Sequence, residues 1–235
     1  AEIAELLVAH KKIDVNLKTM SDDTALTIAA QQGHSEIVSK LINHNGIDLN
    51  VVNRQDATAL MITAHRGHAK IADLLLANKK IDVNLKNTRG DTALIYAADN
   101  NLLEFLGELL KHNDININVK NNHGETALIY ASIDGYKDVV SKLLERADIE
   151  VNAKSAYHGT TALMYAAKFN FFEILSKLLE HGNIDVNVKD NYGDTALMYA
   201  VKSDNRFIVE KLLQQPEIEC SLAQGCLLYT SPSPR

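Results

Sequence analysis

Apolar residues along the chain recur in a fixed two-part cadence. A tight, Ala-rich run such as Ala93-Leu94-Ile95-Tyr96-Ala97-Ala98 comes first. After a short polar break follows a run such as Glu173-Ile174-Leu175-Ser176-Lys177-Leu178-Leu179. Apolar positions in the second run return every three or four residues, the signature of an amphipathic helix. A polar stretch rich in Asn, Asp and Gly then leads into the next Ala-rich run, and its composition marks turns. Each unit of the pattern therefore predicts a short helix, an amphipathic helix and a turn-rich loop.

The cadence is periodic. Thr-Ala-Leu begins at Thr24, Thr58, Thr92, Thr126, Thr161 and Thr195, at intervals of 34, 34, 34, 35 and 34 residues. A second marker, acid–aliphatic–Asn, keeps the same phase: Asp14-Val15-Asn16, Asp48-Leu49-Asn50, Asp82-Val83-Asn84, Glu150-Val151-Asn152 and Asp185-Val186-Asn187, with Asn116-Ile117-Asn118 in the remaining unit. The one longer interval is a single-residue insertion between Asn152 and Thr161, which a repeat array tolerates in a loop. The Thr before each Ala-rich run is an N-cap, its hydroxyl accepting from a free first-turn amide. Acids just before it (Asp23, Asp91, Glu125, Asp194) suit the positive helix end. Helix stops fall at Gly33, Gly67, Asn101, Gly135, Asn170 and Asp204, all residue types that accept a left-handed backbone. The loops end in the same way at Asp22, Asp56, Gly90, Gly124, Gly159 and Gly193.

These elements resemble the ankyrin repeat, whose pattern is Gly-x-Thr-Pro-Leu-His-x-Ala-Ala, Gly-His, a Leu-Leu helix and Asp-Val-Asn; Gly33-His34 and Gly67-His68 match the middle element. The other 34-residue repeat, the tetratricopeptide repeat, lacks the Gly-x-Thr turn and the Asp-Val-Asn hairpin. The chain departs from the pattern twice. Ala replaces the Pro in every unit, and the His becomes Thr27, Met61, Ile95, Ile129, Met164 or Met198, so apolar packing is expected where the family has a polar link. The resemblance implies an all-α repeat solenoid of helix-turn-helix units with a β-hairpin or turn each. It covers one domain, residues 1–222, divided as a partial repeat at 1–18 and repeats at 19–52, 53–86, 87–120, 121–155, 156–189 and 190–222.

Composition changes the picture in a few places. Apolar residues make up 46% and aromatic residues 6%, with no Trp, which fits thin layers of small helices. Net charge is −6 with no Lys/Arg stripe, so no nucleic-acid partner is expected. Apolar runs such as Leu74-Leu75-Leu76-Ala77 are too short for a bilayer, so no membrane partner is expected. Cys220 and Cys226 cannot staple the fold, which agrees with a reducing, cytoplasmic setting. The chain opens inside a second helix, Ala1–His10, and neither end reads as a polar cap, so the sequence is expected to be a fragment of a longer protein. Residues 226–235 resemble a sequencing adaptor read in frame; the alternative is a Ser/Pro-rich disordered tail.

Candidate chemistry is sparse. His10, His44, His112 and His181 share one repeat position. Equivalent residues of neighbouring units lie roughly 10 Å apart, against metal bonds of about 2 Å, so no metal is expected there. No nucleophile elbow, phosphate-binding glycine loop or HExxH motif occurs, so no enzyme activity, cofactor or small-molecule substrate is expected. Tyr96, Tyr130, Tyr165 and Tyr199 form a column that reads either as inter-repeat packing or as an aromatic ladder, packing being favoured by Ile28 and Ile62 at the same place. The resemblance also marks Asn84, Asn152 and Asn187 as candidate hydroxylation sites, each with a Leu eight residues and an acid two residues earlier; the other reading is a side-chain hydrogen bond within the hairpin.

The expected function is a monomeric scaffold for protein–protein interaction. The alternatives are a recognition segment of a larger enzyme or secreted effector, and a structural spacer. The resemblance places the hairpin tips and first-helix ends on the partner-facing side. The candidate partner-binding residues are Arg54, Arg89, His123, Ile133, Tyr157, His158, Phe169 and Tyr192. Their apolar members cluster in the last three units, where large anchors ringed by polar groups suit an interface. Inward packing of Ile133 and Phe169 is the competing expectation.

Overall fold

A computed structural model describes residues 14–219. The expected leading helix, the tail, His10, Cys220 and Cys226 lie outside the described residues. Twelve helices are described: α1 Ala25–Gln31, α2 Ser35–Ile42, α3 Ala59–Arg66, α4 Ala69–Leu76, α5 Ala93–Asp99, α6 Leu103–Leu110, α7 Ala127–Ile133, α8 Lys137–Leu144, α9 Ala162–Lys168, α10 Phe172–Leu179, α11 Ala196–Lys202 and α12 Arg206–Leu213. No strand occurs among the described residues. The expected hairpins are fingers built from consecutive turns, and the fold is an all-α repeat solenoid.

The helices begin and end where the sequence places their caps. Each of the six Thr residues accepts from the backbone N–H three positions on, as Thr126 does from Ile129 at 3.3 Å. Asn101, Asn170 and Asp204 are left-handed at φ 55°, 64° and 51°, matching Gly33, Gly67 and Gly135. At Gly124 (φ 71°) space as well as conformation demands glycine, because a Cβ would stand 2.5 Å from the Ala156 amide nitrogen.

The chain forms two compact units, Ala1–Asn122 and His123–Arg235. In the first, α1, α3 and α5 pack side by side, and α2, α4 and α6 form a second row behind them. In the second unit, α7, α9 and α11 form one row and α8, α10 and α12 the other. Leu26, Leu60, Leu94, Leu75 and Leu106 fill the first core, and Leu128, Leu163, Leu143, Leu175 and Leu178 the second. Met61, Ile95, Ile129 and Met164, which replace the family His, are buried as expected. Met164 Sδ even accepts from the Thr161 amide at 3.4 Å.

The two members of each Leu pair in α8 and α10 divide between core and rim. Leu143 and Leu178 are fully enclosed, whereas Leu144 and Leu179 are half-buried. One residue along a helix turns the side chain about 100°, enough to carry the second Leu to the rim of a narrow buried stripe.

Candidate functional site

The fingers carry the exposed chemistry, and short polar side chains shape them. Asn87 Oδ1 accepts from the Arg89 and Asp91 amides, both at 2.9 Å. Asp190 Oδ1 does the same for Tyr192 at 2.9 Å and Asp194 at 2.8 Å. Each finger also hangs on its predecessor within its unit. Thr88 N–H donates to Gln55 O at 3.1 Å, Ala156 N–H to His123 O at 2.7 Å, and Asn191 N–H to His158 O at 2.8 Å.

In the second unit this spacing sets rings one repeat apart against each other. His123 meets Tyr157 with ring centroids 5.5 Å apart. His158 stacks on Tyr192 at 5.9 Å, with Nδ1 3.2 Å from the hydroxyl. Tyr157 and Tyr192 remain 68% and 72% exposed. The structure thus brings His123, Tyr157, His158 and Tyr192 together as paired rings at the finger tips. Phe169 belongs to a separate cluster at the end of α9. It stacks on Tyr165 and tilts against Phe171, both with centroids 6.1 Å apart, and Lys168 Nζ lies 5.2 Å from its centroid. At 42% exposed, Phe169 does not turn inward. Ile133, at the end of α7, is half-buried.

Arg54 and Arg89 lie in the first unit. Arg54 faces Asp22 at 3.6 Å and borders a groove of about 360 Å³ that also touches Asn53, His65, Arg66 and Tyr96. Arg89 pairs with Asp91 at 3.0 Å and donates to the Tyr96 hydroxyl at 2.8 Å, so it braces the finger base. Beside it, burial pushes the Asp99 carboxyl up, repulsion from Asp91 adds to this, and Arg89 and His65 act against it.

The tyrosine column is half-buried, and its hydroxyls tie helix to finger. Tyr96 accepts from Asn87 Nδ2 at 2.9 Å, and Tyr199 donates to Asp190 Oδ2 at 2.8 Å. Burial, then the hydrogen bond and charge of Asp190, push the Tyr199 phenol up to about 12. Burial alone would raise Asp190, but the Tyr199 bond, the Asp194 and Tyr192 amides and nearby Lys202 together hold it below its usual value. Sequence reasoning missed these ties. Their signal was the nine-residue spacing shared by Asn87 with Tyr96 and Asp190 with Tyr199.

The hairpin asparagines stitch successive repeats. Asn84 Nδ2 donates to Asp114 O at 2.7 Å, and its Oδ1 accepts from the Asn116 amide at 2.9 Å. Asn152 bonds Asn183 O and the Asp185 amide, and Asn187 bonds Glu217 O and the Glu219 amide. Asn16 and Asn50 do likewise in the first two units of the pattern. The three candidate hydroxylation residues are therefore engaged at both ends of their carboxamides. Of the histidine column, His44 and His181 accept at Nδ1 from the amide two residues on. Among the described residues no three His, Cys, Asp or Glu side chains gather as a metal site, and no helix is long and apolar enough to cross a membrane.

The family profile described as "Ankyrin repeats (3 copies)" matches residues 1–87, 79–155 and 151–223. Among solved structures, EF0377, an ankyrin repeat protein, is similar with a TM-score of 0.76 and 29% identity over 87% of this chain and 99% of that one. The ankyrin repeat domain of Bcl-3, described as a unique member of the IkappaB family, is similar with a TM-score of 0.78 and 22% identity over 91% of each chain. No curated protein matches the sequence. With that profile matching from residue 1 to residue 223, the chain belongs to the ankyrin repeat family.

Proposed function

We propose that the chain is a protein-binding scaffold that holds its partner through the finger and first-helix face of the second unit. Ankyrin repeats are generally protein–protein interaction modules, typically without catalytic activity of their own. The observation that carries the finer reading is the pair of exposed finger-tip contacts, His123 with Tyr157 and His158 with Tyr192. Tyrosine is enriched at interface hot spots because it offers wide contact at low entropic cost. The rings are held by finger hydrogen bonds before any partner arrives, which lowers the ordering penalty of association. Phe169, beside Lys168, gives a second apolar anchor with a polar rim.

The test combines Tyr157→Ala, Phe169→Ala and Tyr192→Ala, measuring thermal melting and the capture of proteins from a cell extract beside the unaltered chain. An anchor worth about 2 kcal/mol implies on the order of thirtyfold weaker capture, with the melt unchanged. Undiminished capture by the triple variant, or unfolding caused by Phe169→Ala alone, overturns the reading.

A further inference from the structure

The loop after α2 carries a feature that scaffold function does not use. His44 Nδ1 accepts the Gly46 amide N–H at 3.2 Å. Between them stands Asn45, exposed, with no hydrogen bond to its carboxamide among the described residues. Asn45-Gly46 is the one Asn-Gly pair in the sequence. Among the described residues nothing crowds Gly46: a Cβ there would meet the His44 ring, at 3.7 Å or more.

The same loop in other repeats shows what is special here. Asn78 Oδ1 caps the Lys80 amide at 3.0 Å, but a carboxamide oxygen is no base and Lys79 offers nothing to attack. His181 Nδ1 caps the Asn183 amide at 3.3 Å, but the residue between is Gly182, which has no side chain. Among these caps only 44–46 sets an imidazole base, a carboxamide electrophile and an unhindered glycine amide in order.

We propose that Asn45 is a self-modification site, converted to aspartate and isoaspartate with His44 as general base. Unprotonated Nδ1 takes the Gly46 amide proton, for which it lies within hydrogen-bond reach. The Gly46 nitrogen bonds to Asn45 Cγ. The Cγ–NH₂ bond breaks, and ammonia leaves with the proton returned by His44. The five-membered imide that remains is opened by water. Attack at one carbonyl gives aspartate in an ordinary backbone, and attack at the other routes the main chain through Cγ as isoaspartate. The net change is carboxamide plus water to carboxylic acid plus ammonia, with no change of oxidation state.

The modification bears on the repeat joint. Gly46 O accepts from Asn16 Nδ2 at 2.7 Å, while Asn16 Oδ1 accepts from the Asp48 amide at 2.9 Å. An isoaspartyl link lengthens the main chain by one methylene just before Gly46 and moves that carbonyl, loosening the stitch between the first two fingers.

The full chain, aged at mildly alkaline pH, is digested and each Asn peptide weighed, with isoaspartate detected by enzymatic methyl labelling. Asn45 converts ahead of every other asparagine. His44→Gln, which keeps an acceptor for the amide but no base, slows conversion severalfold while leaving the melt in place, and His44→Ala does the same. Gly46→Ala, which the loop has room to hold, slows it further. Wild-type rates in His44→Gln or in Gly46→Ala overturn the proposal, as does an intact Asn45 in a chain whose other asparagines have converted.

Discussion

Tyr199 shows how much a single side chain in this repeat can carry. Its half-buried ring lies under the Lys202 ammonium, 5.8 Å from the centroid, and its hydroxyl fixes Asp190, which in turn shapes the last described finger. A phenol raised to about 12, against an ordinary value of about 10, keeps its proton in the folded chain after the unfolded chain has lost it. The resulting stability is full below pH about 10 and fades as pH rises toward 12. Spectroscopic titration of phenolate should show a late-ionising tyrosine that vanishes in Tyr199→Phe, with a shallower alkaline loss of stability in that variant. A late step of unchanged size in Tyr199→Phe would assign it elsewhere. Asp190 acts at the other end of the scale. Its lowered value contributes stability above the ordinary carboxylate range, which is lost as pH falls through the folded value.

At the scale of the element, a helix pair is fixed by its caps and by one narrow apolar stripe. The stripe separates two adjacent leucines that composition treats alike. Leu178→Ala removes a fully enclosed side chain and should cost about 2–5 kcal/mol. Leu179→Ala, at the half-buried position, should fall below that range. Thermal melts of the two variants check the order, and equal losses would place both leucines in the core. Caps and helix ends were legible in the sequence because Thr, Gly, Asn and Asp act on their own backbone within a few residues. The phase of the Leu pair was not, because it depends on how the helix is rolled against its neighbours. The ring pairs at His123 and His158 were hidden for a related reason. Both members were named from the sequence, but their contact depends on one finger hanging from the next by the Ala156 and Asn191 amides.

At the scale of the whole molecule, each unit owns its core, and every helix answers to its immediate neighbours. In the second unit, α9 touches α7, α10 and α11, and α12 rests on α10 and α11. Leu163→Ala, at an enclosed position of α9, should therefore lower hydrogen-exchange protection across α7–α12. A loss confined to α9 would show that the unit does not open as one body. The asparagine stitch bears on how such a molecule changes over generations. The carboxamides of Asn16, Asn50, Asn84, Asn152 and Asn187 each bond a carbonyl and an amide of the repeat that follows. The stitch itself engages one side chain of the giving repeat and only backbone of the receiving one. A coding segment for one repeat can be duplicated, lost or exchanged by unequal recombination, and the junction re-forms at the new boundary. Selection can then rewrite the other side chains of a repeat without having to repair the stitch itself.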